Sequence, residues 1–379
     1  KMSAPLTWVE IKQKALLSNL RQFRQRVGKK TKIMAVVKAN AYGHGIKEVT
    51  PVVAAKADWF GVSSLEEGLL LRQMKIQSPI LILGYLSPSV MKEAISHDLS
   101  FVILNLSAAK KARQVAKKLS RKARIHLKVE TGTNRLGICG KDLIRLAKFC
   151  SLQNEIFLEG LYTHYANIED TLDPSFAQEQ LRKFKEAERL LQKRGVKIPF
   201  KHTACTAAAI LFKETNFNLI RLGLGLYGLW PSRETKISAQ EKGMKINLQP
   251  VLTWKTRVAQ VKEVAKGETI GYGRTFTTAR KTKMAVLPVG YWDGYDRGLS
   301  NQGQVLIKGY PAPVIGRICM NMMMVDITSI PRIKSEDEVV LLGKQGKEEI
   351  TAEEIAQKIG TINYEVVTRI NPLIPRKVV

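Results

Sequence analysis

The stretch Lys32-Ile33-Met34-Ala35-Val36-Val37, running directly into Lys38-Ala39-Asn40-Ala41-Tyr42-Gly43-His44-Gly45, decides how this chain is read. A short apolar, β-branched run closed by a glycine-containing turn has the form of a strand buried on both faces. Seven further runs of the same kind follow: Trp59 to Ser63, Pro79 to Gly84, Phe101 to Asn105, Arg124 to Glu130, Ile156 to His164, Phe200 to Cys205 and Leu219 to Leu224. Amphipathic stretches lie between most of them, clearest over Glu66 to Met74 and Pro174 to Lys193. Eight such repeats across residues 30 to 228 predict an α/β fold, an N-terminal (β/α)8 TIM barrel.

After Pro231 the texture changes. Helical periodicity is missing until about residue 351. The runs Val251 to Val264, Lys283 to Val289, Gln304 to Ile307, Ala312 to Met324 and Glu338 to Leu342 are separated by Gly and Pro clusters. They predict a C-terminal, mostly antiparallel β-domain. Thr351 to Ile359 is predicted as a helix, with Thr351 and Glu354 as a capping box. The division expected is residues 1–235 and 236–379, with about the first ten residues able to pack on the second domain.

Composition bounds the function classes. Apolar residues make up 45% of the chain, which argues for a globular core and against disorder. No apolar run is long enough to span a bilayer, so no membrane partner is expected. Lys1-Met2-Ser3-Ala4-Pro5 lacks the apolar stretch of a signal peptide, and a residue ahead of Met2 points to something removed upstream, a tag or a leader. Cys139, Cys150, Cys205 and Cys319 form neither a CxxC pair nor a zinc spacing. They read as reduced thiols of a cytoplasmic enzyme without a metal. The net charge of +28 would suit a polyanion partner. However, the basic pairs Lys110-Lys111, Lys117-Lys118 and Arg121-Lys122 fall where helices face water, and none is interleaved with aromatics. No nucleic acid is expected.

A barrel carries its chemistry at the C-terminal ends of its strands. Those ends here are rich in polar groups: Lys38, then Glu130 to Arg135, His164, Thr206, and Arg221 with Gly223. Lysine at an apolar strand end is either a desolvated nucleophile or a side chain snorkelling outward, and Lys38 by itself favours the second. Thr206 and Gly223, after strands 7 and 8, occupy the recurrent phosphate position of barrels. Gly223-Leu224-Gly225-Leu226-Tyr227-Gly228 matches GxGxxG, but Pro231 stops a following helix, so it does not read as a dinucleotide fold.

The string Ala35-Val36-Val37-Lys38-Ala39-Asn40-Ala41-Tyr42-Gly43-His44-Gly45 closely resembles the pyridoxal-phosphate attachment motif of alanine racemases. The order of the remaining motifs agrees to about Arg376. The resemblance implies pyridoxal 5'-phosphate as cofactor, a small amino-acid substrate, and a homodimer with composite active sites supplying D-alanine for peptidoglycan. It implies that Lys38 is the Schiff-base lysine and one catalytic base. Tyr272, in Gly271-Tyr272-Gly273-Arg274, is the opposite base, given by the partner subunit. Arg221 faces the cofactor's ring nitrogen, Arg135 lies near the substrate carboxylate, and His164 bonds the catalytic tyrosine. Tyr42, Thr206, Gly223 and Tyr364 are phosphate ligands, and Met320 is a substrate contact from the partner. Lys128 matches a lysine that is carbamylated in some members.

Three positions depart from that pattern. Asn321 follows Met320 where Asp is usual, Thr206 stands where Ser is common, and Thr133 replaces a frequent Met. Asn321 is the reason to weigh a broad-specificity, serine or basic amino-acid racemase. A decarboxylase of related architecture would pair the ring nitrogen with an acid, and Ile220-Arg221-Leu222-Gly223 offers none. A non-enzymatic cofactor-binding barrel would lack the second domain.

Overall fold

The computed structural model of the chain describes residues 5–379, so the reading of Lys1-Met2-Ser3-Ala4 concerns residues outside it. The chain divides into two compact units. The barrel unit is Leu16–Ala39 with Thr50–Gln249. The β unit joins the described residues up to Ala15, the insert Asn40–Val49, and Pro250–Val379.

All eight expected strands form in the barrel unit: Lys32–Val36, Trp59–Val62, Ile80–Ile82, Ser100–Ile103, Ala123–Lys128, Ile156–Tyr162, Phe200–His202 and Leu219–Leu222. They are parallel and pair in sequence order, and the first also pairs with the eighth. The seventh and eighth meet through the Arg221 N–H donating to Ala204 O at 3.0 Å, which nearly closes the barrel. Met34, Trp59, Leu81 and Leu219 form one layer of its filling. The surrounding helices follow local rules. Ser64 Oγ accepts from the Glu67 N–H to start Leu65–Gln73. Helix Gly140–Ser151 buries Leu143, Leu146, Ala147 and Cys150, one stripe at helical spacing.

One expectation fails after Pro231. A helix, Arg233–Glu241, follows the last barrel strand within the barrel unit, with Ser232 Oγ accepting from the Thr235 N–H at 2.9 Å. Only Thr235 and Ala239 are buried in it, so it carries almost no apolar periodicity. Its cap, rather than a hydrophobic stripe, was the signal to read.

The β unit holds a seven-stranded sheet and a three-stranded sheet. In the larger, Trp8–Ile11 runs antiparallel to Leu252–Arg257 and parallel to Arg376–Val378. Its other edge is Tyr310–Pro313, where Pro311 and Pro313 are tolerated because an edge leaves N–H positions unpaired. The smaller sheet is Gln260–Val264, Thr282–Leu287 and Met323–Asp326, all antiparallel. Helix Ala352–Ile359 begins as expected, with Thr351 Oγ1 accepting from the Glu354 N–H. The Glu354 carboxylate accepts instead from Gln304 and pairs with Lys358. No helix of the described residues is long and apolar enough to cross a membrane.

Candidate active site

The residues after the first barrel strand do something their sequence hides. Ala39, Asn40, Ala41 and Tyr42 all have φ of 52–53°, and Gly43 follows at 78°. This is a full left-handed turn built from non-glycine residues. Each such residue costs about 1–2 kcal/mol, so on the order of 5 kcal/mol is held here. The turn is secured at both ends. In the barrel unit the Ala39 N–H donates to Glu67 Oε1 at 2.6 Å, and Glu67 Oε2 takes the Ser63 N–H. In the β unit Asn40 Oδ1 accepts from the Ile46 N–H, and Arg376 donates Nε and Nη2 to Gly43 O. Gly43 has no room for a side chain, because a Cβ would lie 1.9 Å from Val367 O. Gly43→Ala is expected to cost roughly 3 kcal/mol or more, from φ strain and overlap together. Urea unfolding checks this; a loss under 1 kcal/mol would remove the constraint.

His44 lies buried just beyond, its Nδ1–H donating to Tyr42 O at 2.9 Å. Burial holds its pKa at about 4, with the Arg376 charge adding to the effect and its backbone hydrogen bonds opposing it. The unfolded chain accepts this proton below pH 6.5, whereas the folded chain refuses it until about 4. Stability from this group is therefore complete above pH 6.5 and lost as pH falls toward 4, by about 3 kcal/mol. Unfolding free energies measured at pH 7 and 4.5 should differ accordingly, and His44→Asn should flatten that slope.

The barrel unit assembles most of the expected site. Lys38 is half-buried at the start of the turn. Burial lowers its pKa first, Arg135 and Arg221 lower it further, and Glu67 opposes them. Lys128 ends the fifth barrel strand, buried, with Nζ 5.7 Å from the Tyr162 ring centroid. Burial and the charges of Arg135, Arg221 and Lys38 hold its pKa down at about 8. His164 follows the sixth strand, and burial with the same four cations depresses its pKa to about 3. It is neutral at working pH.

Arg221 is buried on the eighth strand and donates along a defined set of bonds. Nη1 reaches His202 Nδ1 at 2.9 Å and His202 O at 2.8 Å. Nη2 reaches Thr163 O and Thr203 O, each at 2.9 Å, and His164 Nδ1 at 3.4 Å. Thr206 Oγ1 accepts from both Gly223 and Gly225 N–H groups at 3.2 Å. An oxygen accepting twice directs its own hydrogen elsewhere, as a donor.

This donor set fits a phosphorylated aldehyde that works on an amino acid. Lys38, Lys128, Arg135 and Arg221 gather positive charge, with Glu67 and Glu130 their acidic neighbours. Backbone N–H groups of Gly132, Thr133 and Asn134 hold the Glu130 carboxylate below its usual range, although burial opposes them. The surplus suits a ligand carrying a phosphate and a carboxylate, and Thr206 offers a hydroxyl donor.

The remaining expected residues lie in the β unit. Tyr42 and Tyr364 are a ring pair, centroids 6.3 Å apart. Tyr272 sits in the hairpin between Thr269–Ile270 and Phe276–Thr277 and is 72% exposed. Gly271 and Gly273 flank it with φ of 76° and 70°, so it is lifted on a tight turn. Met320 is 55% exposed and Asn321 beside it is exposed. The Trp292 N–H donates to Met320 O at 3.0 Å, and Trp292 is 59% exposed. Sequence reading did not single out Glu67, His126, Glu159 or His202. Polar side chains at interior strand positions were the available signal for His126 and His202.

Comparison with known proteins agrees with this geometry. The family model described as alanine racemase, N-terminal domain, matches residues 11–231, and that described as alanine racemase, C-terminal domain, matches 251–378. Alanine racemase of Halothermothrix orenii is 42% identical over 372 residues, covering 98% of this chain and 96% of that one. Among solved structures, alanine racemase of Clostridium difficile 630 superposes with a TM-score of 0.93 at 34% identity, covering 100% of this chain and 97% of that one. Alanine racemase of Bacillus anthracis with bound L-Ala-P gives 0.92 at 33%, covering 100% and 96%.

Proposed function

Because the chain belongs to the alanine racemase family, an isomerase family, we propose that it interconverts L- and D-alanine with pyridoxal 5'-phosphate attached at Lys38 and a second base from a partner subunit. The D-alanine would serve peptidoglycan. The observation that carries this reading is the Lys38 amine, half-buried and poised below its usual pKa beside Arg135 and Arg221. When bound, the cofactor supplies the electron sink that makes the α-proton of alanine removable.

The chain's own residues do the rest. The Thr206 hydroxyl would donate to the phosphate, while the Gly223 and Gly225 N–H groups fix its oxygen. Tyr42 and Tyr364 are further phosphate ligands on the family pattern alone. Arg135 holds the alanine carboxylate, and Met320 of the partner subunit borders the small side chain. Lys38 Nζ takes or returns the α-proton on one face, and Tyr272 Oη of the partner subunit does so on the other. Lys38 must be neutral to accept, and burial beside two guanidinium groups favours that form.

His164 has a defined part. Arg221 Nη2 can only donate, so His164 Nδ1 is the acceptor. A neutral ring then carries its proton on Nε2, where it can donate to the partner's Tyr272. Lys128 is the candidate for carbamylation. A pKa near 8 leaves a usable fraction of neutral amine, the form that adds carbon dioxide with loss of one proton. The carbamate would neutralise part of the surrounding charge.

Purified protein is expected to be yellow. Borohydride should bleach the yellow and leave the cofactor covalently attached through denaturation, whereas untreated protein should release it, and Lys38→Ala should lack the colour. A colourless wild type that racemises alanine would overturn the reading.

A further inference from the structure

A chain of buried polar groups leaves Arg221 through Nη1, whereas Nη2 is the nitrogen that reaches His164, and runs through the barrel interior. His202 Nε2 and His126 Nδ1 are 3.0 Å apart. His126 Nε2 lies 3.3 Å from Glu159 Oε2. Glu159 also accepts from Ser100 Oγ, and Arg124 donates Nη1 to Glu159 Oε1 at 2.8 Å. His126, His202, Ser100 and Glu159 are all buried.

The backbone is shaped to hold this chain. Between the fifth and sixth strands the register steps from Ile125↔Leu158 to His126↔Gly160, which leaves Glu159 as the extra, bulged residue. A bulge re-aims a side chain that strict alternation would send elsewhere. Gly160 makes room for the ring, since a Cβ there would lie 2.1 Å from His126 Nδ1. The His202 ring is stacked flat on Tyr162, centroids 4.7 Å apart and 2° from parallel.

A donor-only group at one end and an acceptor-only group at the other together set the direction of every hydrogen bond. The Arg221 guanidinium only donates, so His202 Nδ1 accepts. A proton on Nδ1 would oppose an N–H to an N–H, so His202 carries its single proton on Nε2. That proton is donated to His126 Nδ1, which is therefore bare. The proton of His126 then lies on Nε2 and goes to Glu159, an acceptor when ionised. Burial and the Arg221 charge hold His202 well below its usual pKa, in keeping with a neutral ring.

We propose that Glu159 is a positioning residue of the active site: it ends a one-directional donor chain, Arg221 to His202 to His126 to Glu159, that fixes both ring tautomers and thereby the seat of Arg221. This rests on the reading of Arg221 as an active-site group. Without the Glu159 carboxylate, His126 can place its proton on Nδ1. His202 must then accept on Nε2 and carry its proton on Nδ1, facing the Arg221 N–H. One change at the far end thus reaches Arg221 across two rings.

The test is two-bond proton–nitrogen correlation on the holoenzyme labelled with 15N-histidine, which has only five histidines to assign. In wild type, His126 and His202 are each expected as single Nε2–H tautomers. A proton on Nδ1 of either ring, or a doubly protonated ring, overturns the proposal even if no variant folds. In Glu159→Leu, a second tautomer is expected at His202, which Glu159 does not touch, with kcat down roughly 10- to 100-fold and KM for alanine changed by less than about threefold. Glu159→Gln keeps an acceptor oxygen and should recover the single tautomer and most of kcat. A folded Glu159→Leu enzyme with His202 unchanged overturns the proposal, whatever its rate. Failure of the cofactor reading would show as a missing chromophore, independently of the ring tautomers.

Discussion

Lys38→Ala and Tyr272→Phe proteins, each close to inactive alone, are expected to regain about a quarter of wild-type racemase activity when their subunits are mixed and allowed to reassociate. The number follows from a symmetric dimer with shared sites. Random reassociation makes about half of the dimers hybrid, and each hybrid has one site carrying both lesions and one carrying neither. If Tyr272 served the site of its own subunit, every hybrid site would carry one lesion and nothing would return. The expectation rests on exposure. Tyr272 stands 72% exposed on a turn lifted by two positive-φ glycines, and Met320 and Trp292 are more than half exposed. A tyrosine meant for proton transfer gains nothing from water around it, and large apolar side chains left in solvent are what a partner subunit would cover. Activity measured after co-refolding at several mixing ratios checks the result, with a maximum at equal amounts.

The barrel was legible because parallel strands covered on both faces are written as unbroken apolar runs. Met34 to Val37 and Ile80 to Leu83 could hardly be anything else. The rim was legible because Lys38, His164, Thr206 and Arg221 break those runs at one end only. What stayed hidden shares a cause: it depends on backbone geometry that side-chain pattern does not encode. Nothing in the side chains of Ala39-Asn40-Ala41-Tyr42 marks a left-handed path, one end of which Glu67 holds and the other Asn40 Oδ1 and Arg376. Glu159 reads as a strand residue facing outward by alternation, and one bulge turns it into the barrel beside His126. Helix Arg233–Glu241 was missed because its polar residues give no stripe, though Ser232 announced its start.

Arg221→Lys is expected to keep the positive charge and still lose about 100-fold in kcat and several kcal/mol in stability. Five acceptors converge on the guanidinium: His202 Nδ1, His202 O, Thr163 O, Thr203 O and His164 Nδ1. An ammonium has three donors, so at least two buried acceptors lose their partner, at about 1–3 kcal/mol each. The flat fork also fixes the orientation of His164 and His202 together, which a point charge on a flexible stem cannot do. Because His164 presents its Nε2–H toward the second base in the proposed mechanism, misorientation of that ring falls on kcat more than on KM. Arg221→Glu separates charge from geometry. It sets a carboxyl among acceptors, and in the proposed site it replaces a group that never yields its proton with one that can pair with a protonated ring nitrogen. Cofactor lost to its amine form per racemisation event should therefore rise. Denaturant unfolding, kcat and KM for both alanine enantiomers, and the ratio of transamination to racemisation decide the matter. A folded Arg221→Glu enzyme with an unchanged ratio would mean that Arg221 orders the site without choosing the reaction.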